Sequence, residues 1–320
     1  MTVRLLLFCS MSTPLDDHRL RFAEKLELHA AKVVEGFISG LHKSPYQGFS
    51  VEFAEHRPYN SGESTRHMDW KLLARTDKYF VKRYEAETNL RCWCALDISA
   101  SMRYPEREKL GFDQPNKLWF SAMASAAIIH LLKRQRDAFG LAMLGEKVEL
   151  LTEGRLSSLH QRTIFNHLAE LLTNTPAQPV RTDLSASLHE LAERLPPRSM
   201  LVLFTDMLEP KEKLETLEAA FQHLRFKKHD LVVFHVLDQA TELQFEIGHR
   251  PTRIVDMETG AELRIEPRQL RSIFTQRVQE FNQSMKEICG RSGADWNEAD
   301  LAAGIPSVLL EFLKKRGRLF

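Results

Sequence analysis

The side chains best suited to chemistry in this 320-residue chain are oxygen donors in three short groups. Asp97-Ile98-Ser99-Ala100-Ser101 sets one carboxylate and two hydroxyls on five consecutive residues, directly after the apolar run Cys92-Trp93-Cys94-Ala95-Leu96. Arg181-Thr182-Asp183 precedes an amphipathic stretch, and Thr205-Asp206 follows the apolar run Met200-Leu201-Val202-Leu203-Phe204. If these runs are strands of one parallel sheet, all three groups fall at its carboxyl edge, where open α/β sheets gather ligands. Asp97, Ser99, Ser101, Thr182 and Asp206 then offer only oxygen, which suits a hard divalent cation such as Mg²⁺. The two carboxylates balance its charge, and the three hydroxyls add donors without adding charge. Mg²⁺ takes about six near-octahedral ligands and usually keeps water, so this set leaves room for an outside oxygen, such as a partner protein's carboxylate. Asp-x-Ser-x-Ser alone is a weak signal, arising by chance in roughly one chain in ten of this length. Its bland counterpart is a Ser/Asp turn capping the next helix.

The elements needed to position these groups are legible in the periodicity. Apolar residues at Leu20, Ala23, Leu26, Ala30, Val33, Val34, Phe37 and Leu41 predict a long amphipathic helix over 16–41. Alternation over 49–55 and the run 79–84 predict two strands of a first module, residues 1–90. From Arg91 the pattern changes to strands at 92–96, 139–144, 200–204 and 231–236, with helices at 117–134, 157–173, 184–194 and 211–225. Strands alternating with helices imply a doubly wound α/β domain with a mostly parallel sheet, placed at 91–240. A hairpin follows in 241–267, from 253–257 and 262–265, and 268–320 carries two C-terminal helices, 268–289 and 306–315. The basic end Lys314-Lys315-Arg316-Gly317-Arg318 reads as a solvated cap opposing the helix dipole.

Composition excludes several classes. With 44 Lys+Arg against 43 Asp+Glu, the overall field attracts neither nucleic acid nor an anionic membrane. The uncharged stretch 118–132 is fifteen residues long and interrupted by Ser121, Ser125 and His130, which is a buried helix rather than a membrane span. Leu5 to Cys9 imitates a signal peptide only faintly; an over-extended start with Met11 as initiator, and a cytoplasmic location, fit better. Cys9, Cys92, Cys94 and Cys289 match no disulfide or zinc spacing and read as core thiols, and His223, His229 and His235 lack a helical ligand spacing.

The Asp97, Ser99, Ser101, Thr182 and Asp206 pattern resembles the metal-ion-dependent adhesion site of von Willebrand factor A domains. That resemblance implies a bound Mg²⁺, with Asp97 and Asp206 acting directly or through water, and a partner's acidic residue completing the shell. The N-terminal module carries a more specific pattern. Gly48-Phe49-Ser50-Val51-Glu52-Phe53, Glu55-His56-Arg57-Pro58-Tyr59, Gly62-Glu63, Arg66-His67-Met68-Asp69-Trp70-Lys71, Ala74-Arg75-Thr76 and Val81-Lys82-Arg83 resemble the signature of a bacterial family, domain of unknown function fifty-eight. Its members join this segment to a von Willebrand factor A domain and are associated with MoxR-type AAA+ ATPases. The resemblance therefore implies a partner or adaptor of such an ATPase, or of its client, in a chaperone-like system. From Glu52 to Arg91 there are eight Lys/Arg and seven Asp/Glu, so Arg57, Arg66, Asp69, Lys71 and Arg75 read as an ion-pair network around Trp70 rather than a nucleic-acid groove.

The rival classes are a metal-dependent hydrolase or phosphotransferase using Asp97, and a scaffold whose metal loop is structural. Against catalysis, no acidic residue stands two positions after Asp97, no histidine is evidently paired with Ser99 or Ser101, and no G-x-x-x-x-G-K loop is present. The expectation is a non-enzymatic, Mg²⁺-dependent protein-interaction module.

Overall fold

The structure, a computed structural model, describes residues 14–41, 56–58, 75, 80–82, 90–174, 176, 180–207, 211–248, 250–257 and 260–317. The chain divides into two units: Met1–Ile38 with Leu90–Phe320, and Ser39–Asn89. In the smaller unit, strand β1 (His56–Pro58) pairs antiparallel with β2 (Phe80–Lys82). The strand expected at 49–55 and signature residues Arg66, Asp69, Trp70 and Lys71 lie outside the described residues.

The larger unit is built on a six-stranded sheet in the order β10-β7-β6-β3-β4-β5. Its members are β3 (Arg91–Asp97), β4 (Ala138–Leu144), β5 (Val148–Leu151), β6 (Met200–Thr205), β7 (Asp230–Leu237) and β10 (Asp295–Asp300). All neighbours are parallel except β5, which runs antiparallel to β4 at one edge. The helices are α1 (Pro14–Leu41), α2 (Lys117–Arg134), α3 (Ser158–Thr173), α4 (Leu184–Arg194), α5 (Leu214–Phe226), α6 (Pro267–Ser292) and α7 (Ile305–Gly317). The architecture is thus the expected α/β fold with a mostly parallel sheet covered on both faces.

Strand alternation sorts the core. Trp93, Ala95, Leu201, Leu203, Leu231 and Val233 point to one face, where they meet Leu188 and Leu191 of α4, Phe221 of α5 and Met285 of α6. Cys92, Cys94, Val202, Phe204, Val232 and Phe234 are buried on the other, the side of α2, α3 and α7. Helix α2 is buried nearly all round, which is why its sequence runs fifteen residues without a charge. The Asn116 side chain starts it by accepting from the Trp119 N–H at 2.7 Å. The Trp93 indole packs against Gly140 of β4 and donates from Nε1 to the Thr152 carbonyl at 3.0 Å. Only glycine fits beneath it at position 140, since a Cβ there would stand 2.2 Å from that nitrogen.

Three expectations change. The C-terminal segment is not an appendage to a domain ending at 240: β10 extends the sheet beside β7, and α6 and α7 pack on it. Asp295-Trp296-Asn297-Glu298-Ala299-Asp300 escaped periodicity because an edge strand is only half covered, and only Ala299 is fully buried. The N-terminal helix likewise belongs with the α/β unit through Ile38, burying Ala23, Leu26, Ala30 and Val34. The basic end is not simply solvated. Buried Arg316 pairs with buried Asp137, and Lys315 reaches Asp230 at 3.0 Å and Asp295 at 3.3 Å. The hairpin is present as β8 (Thr252–Val255) paired with β9 (Glu262–Ile265), and Cys92, Cys94 and Cys289 are buried free thiols. Among the described residues no helix is long and apolar enough to cross a membrane.

Candidate metal centre

β3 and β6 lie side by side at the centre of the sheet, so their carboxyl ends deliver Asp97 and Thr205-Asp206 to adjacent positions. The loop after β3 is held at both sides: Ile98 N–H donates to the Leu144 carbonyl at 3.0 Å, and Ala100 N–H to the Val180 carbonyl at 2.9 Å. Asp183 caps α4 by accepting from the Ala186 N–H at 3.0 Å, and its own N–H donates to the Gly145 carbonyl at 3.1 Å. Thr182, immediately before that cap, is thereby fixed facing the first loop.

Asp97 is the hub. Its Oδ1 accepts from the Ser99 N–H and from Thr182 Oγ1, both at 2.9 Å, and its Oδ2 accepts from Thr205 Oγ1 at 2.7 Å. Ser99 Oγ and Ser101 Oγ share a hydrogen bond of 3.0 Å. Asp97 and Asp206 are 4% and 3% exposed, which is rare for carboxylates and costly unless they are paired. Burial first, and then the Asp206 charge, push the Asp97 pKa up to about 6, against the downward pull of the Ser99 and Thr205 hydrogen bonds. The structure thus brings Asp97, Ser99, Ser101, Thr182 and Asp206 to one edge of the sheet. The donor chemistry fits a divalent cation: buried carboxylate and hydroxyl oxygens, with Thr182 donating its proton to Asp97 and so presenting lone pairs elsewhere. Among the described residues no three His, Cys, Asp or Glu side chains cluster as a metal cage, so an ion at this edge depends on the hydroxyls.

Three participants were not assigned from sequence. Thr205, the sequence neighbour of Asp206, holds the second oxygen of Asp97. Lys117 is fully buried, its Nζ 2.7 Å from Asp206 Oδ2 and 2.7 Å from Glu242 Oε1. Burial pulls its pKa down, but the two carboxylates outweigh that and hold it above the ordinary lysine value. A signal did exist for Lys117: a cation at the first residue of a helix faces the positive end of the helix dipole and so calls for carboxylates. Glu242, in the turn Gln239–Leu243 after β7, is 125 residues away and left no local trace. Behind Asp206, its carbonyl lies 3.1 Å from His235 Nε2, and burial pushes the pKa of that imidazole down to about 4.

The family model for a protein of unknown function, DUF58, matches residues 55–284. The chain belongs to the DUF58 family. That span takes in all three loops of the candidate centre together with Lys117 and Glu242. The chain is also similar to uncharacterised proteins of Mycobacterium tuberculosis and Mycobacterium bovis, each 28% identical over 225 residues, or 70% of this chain and 67% of the relative. Among solved structures, the chain is similar to the conserved hypothetical protein BatB from Bacteroides thetaiotaomicron, with 13% identity and a TM-score of 0.42 over 72% of this chain and 99% of that one. It is also similar to a von Willebrand factor type A protein from Catenulispora acidiphila, with 13% identity and a TM-score of 0.31 over 50% and 34% of the two chains.

Proposed function

We propose that this DUF58 protein is a non-enzymatic interaction module of the von Willebrand factor A type, whose sheet edge holds Mg²⁺ or another divalent ion. Asp97, Ser99, Ser101, Thr182 and Asp206 are its ligands, directly or through water. An acidic residue of a partner protein completes the shell. The partner implied by the family resemblance is a MoxR-type AAA+ ATPase or its client. The observation that carries this reading is convergence: two further loops send Thr182 and Thr205 to opposite oxygens of buried Asp97, with Asp206 close enough to perturb it.

The roles divide by charge. Asp97 and Asp206 supply the negative charge, while Ser99, Ser101 and Thr182 orient and add oxygens. A bound ion supplies a Lewis-acidic contact for the incoming carboxylate. Binding rather than turnover is favoured because the Ser99 hydroxyl pairs with Ser101 Oγ and the Asp97 carboxylate, rather than with an imidazole that would make it a nucleophile.

The test is co-purification of the full chain with its partner ATPase in Mg²⁺ or in EDTA, using wild type and Asp97→Ala. Loss of association in EDTA and in the variant is expected. Association that survives Asp97→Ala unchanged would sink the proposal, and metal-dependent hydrolysis of a phosphate ester lost in Asp97→Ala would replace it with an enzymatic one.

A further inference from the structure

Lys117 is a structural oddity that the proposed metal chemistry leaves unused. It is the first residue of α2, anchored by its own N–H donating to the Tyr104 carbonyl at 2.9 Å, with its ammonium 5.7 Å from the centre of the Tyr104 ring. The ammonium then bridges two carboxylates from different parts of the sheet edge, Asp206 after β6 and Glu242 after β7. Glu242 is itself oriented, its Oε2 accepting from the Asp238 N–H at 2.8 Å. A fully buried ammonium persists only when such partners offset its desolvation. Asp97, by contrast, is held by neutral donors, the N–H and hydroxyl of Ser99 and the hydroxyls of Thr182 and Thr205.

Resting on the reading of this edge as a metal centre, we propose that Lys117 is the site's internal competitor cation. It holds the Asp206 carboxylate when no divalent ion is present and weakens divalent-ion binding, and Glu242 sets how strongly by drawing the ammonium away from Asp206. A +2 ion and a +1 ammonium sharing one carboxylate repel each other. At an effective dielectric constant of about 20, charges a few ångström apart alter an equilibrium by more than about tenfold. Lys117 and Glu242 are thus positioning residues for the centre, and they tie its occupancy to the turn Gln239–Leu243.

Calorimetric titration of the full chain with Mg²⁺, and separately with Mn²⁺, tests this on wild type, Lys117→Met, Glu242→Gln and the double variant. Asp97→Ala identifies binding at this site. Lys117→Met should tighten the ion by about tenfold or more, because the competing charge is gone. Glu242→Gln should weaken it several-fold, since the ammonium then rests on Asp206 alone. The double variant should match Lys117→Met, because Glu242 acts only through the lysine. A merely structural role would lower stability without raising affinity. Asp97-dependent binding that is unchanged or weaker in Lys117→Met overturns the inference while leaving the metal centre intact. No ion bound by wild type or by Lys117→Met overturns both. If Lys117→Met fails to fold, Glu242→Gln decides alone: weaker binding supports the inference, and unchanged binding refutes it.

Discussion

Replacing Asp97 with asparagine should stabilise the metal-free protein at neutral pH while abolishing its response to divalent ions. The Asp97 pKa is raised from 3.8 to about 6, by burial and then by Asp206. A raised carboxyl pKa means that the folded state holds the proton more tightly than the unfolded chain does. The associated stability is therefore fully present below the unfolded value and is lost as pH rises through about 6. A gap of about two pH units corresponds to about 3 kcal/mol, at about 1.4 kcal/mol per unit. Asparagine keeps the shape and one acceptor oxygen but turns an N–H toward a hydroxyl that now donates, which costs about 1 kcal/mol for the disrupted hydrogen bond. A net gain of about 2 kcal/mol in EDTA remains, shrinking toward zero or reversing near pH 4, where wild-type Asp97 is already protonated. Urea unfolding followed by tryptophan fluorescence at both pH values reads this directly. His235, whose depressed pKa makes it lose stability as pH falls, is present in both chains and largely cancels in the difference. Added Mg²⁺ should raise the wild-type midpoint and leave that of Asp97→Asn unmoved. An Asp97→Asn protein no more stable than wild type in EDTA at neutral pH, or equally stabilised at both pH values, would refute the reasoning.

Arg316→Met should cost about 3–5 kcal/mol, because it strands Asp137 as a buried, unpaired charge. Adding Asp137→Asn should restore part of that loss in the same urea titration, and an Arg316→Met protein of wild-type stability would place the pair outside the folded core's energetics. Gly140→Ala should lower stability by about 1–3 kcal/mol, since its Cβ would overlap the Trp93 indole and break the bond to the Thr152 carbonyl. Differential scanning calorimetry with an unchanged melting temperature would show that the indole relocates without penalty.

Much of the fold could be read from sequence where one physical signal dominated. The buried parallel strands announce themselves as continuous apolar runs because helices cover both faces, and Cys92 to Leu96 extends in the structure by only one residue at each end. Helix α4 starts and ends where its cap and periodicity place it, at Leu184–Arg194. What was lost are the elements whose stability comes from elsewhere. β10 reads as polar because its pairing with β7 supplies backbone hydrogen bonds that no side-chain pattern encodes. The helix expected to begin at 211 opens with a 3₁₀ turn, Lys211–Lys213, before α5. At the candidate centre, Asp97, Ser99 and Ser101 were visible as one string, and topology then brought Thr182 and Asp206 beside them. Lys117 and Glu242 were not visible in that way, since an ammonium's need for a carboxylate says nothing about which one, or how far along the chain it lies.

The distribution of buried charge argues that the edge is arranged for something other than stability. Elsewhere in the fold a buried cation meets a buried anion, Arg316 against Asp137. At the carboxyl edge Asp206 and Glu242 share the ammonium of Lys117, and Asp97 lies close enough for the Asp206 charge to raise its pKa. Above about pH 6, ionised Asp97 adds a buried negative charge at this edge. Among the described residues neutral donors hold Asp97, and hydrogen bonds from hydroxyls lower the cost of a buried carboxylate without cancelling its charge. A sequence selected for stability would gain by placing an amide or an apolar residue at position 97, as the Asp97→Asn titration measures. A divalent ion at the proposed metal centre would offset the charge of ionised Asp97.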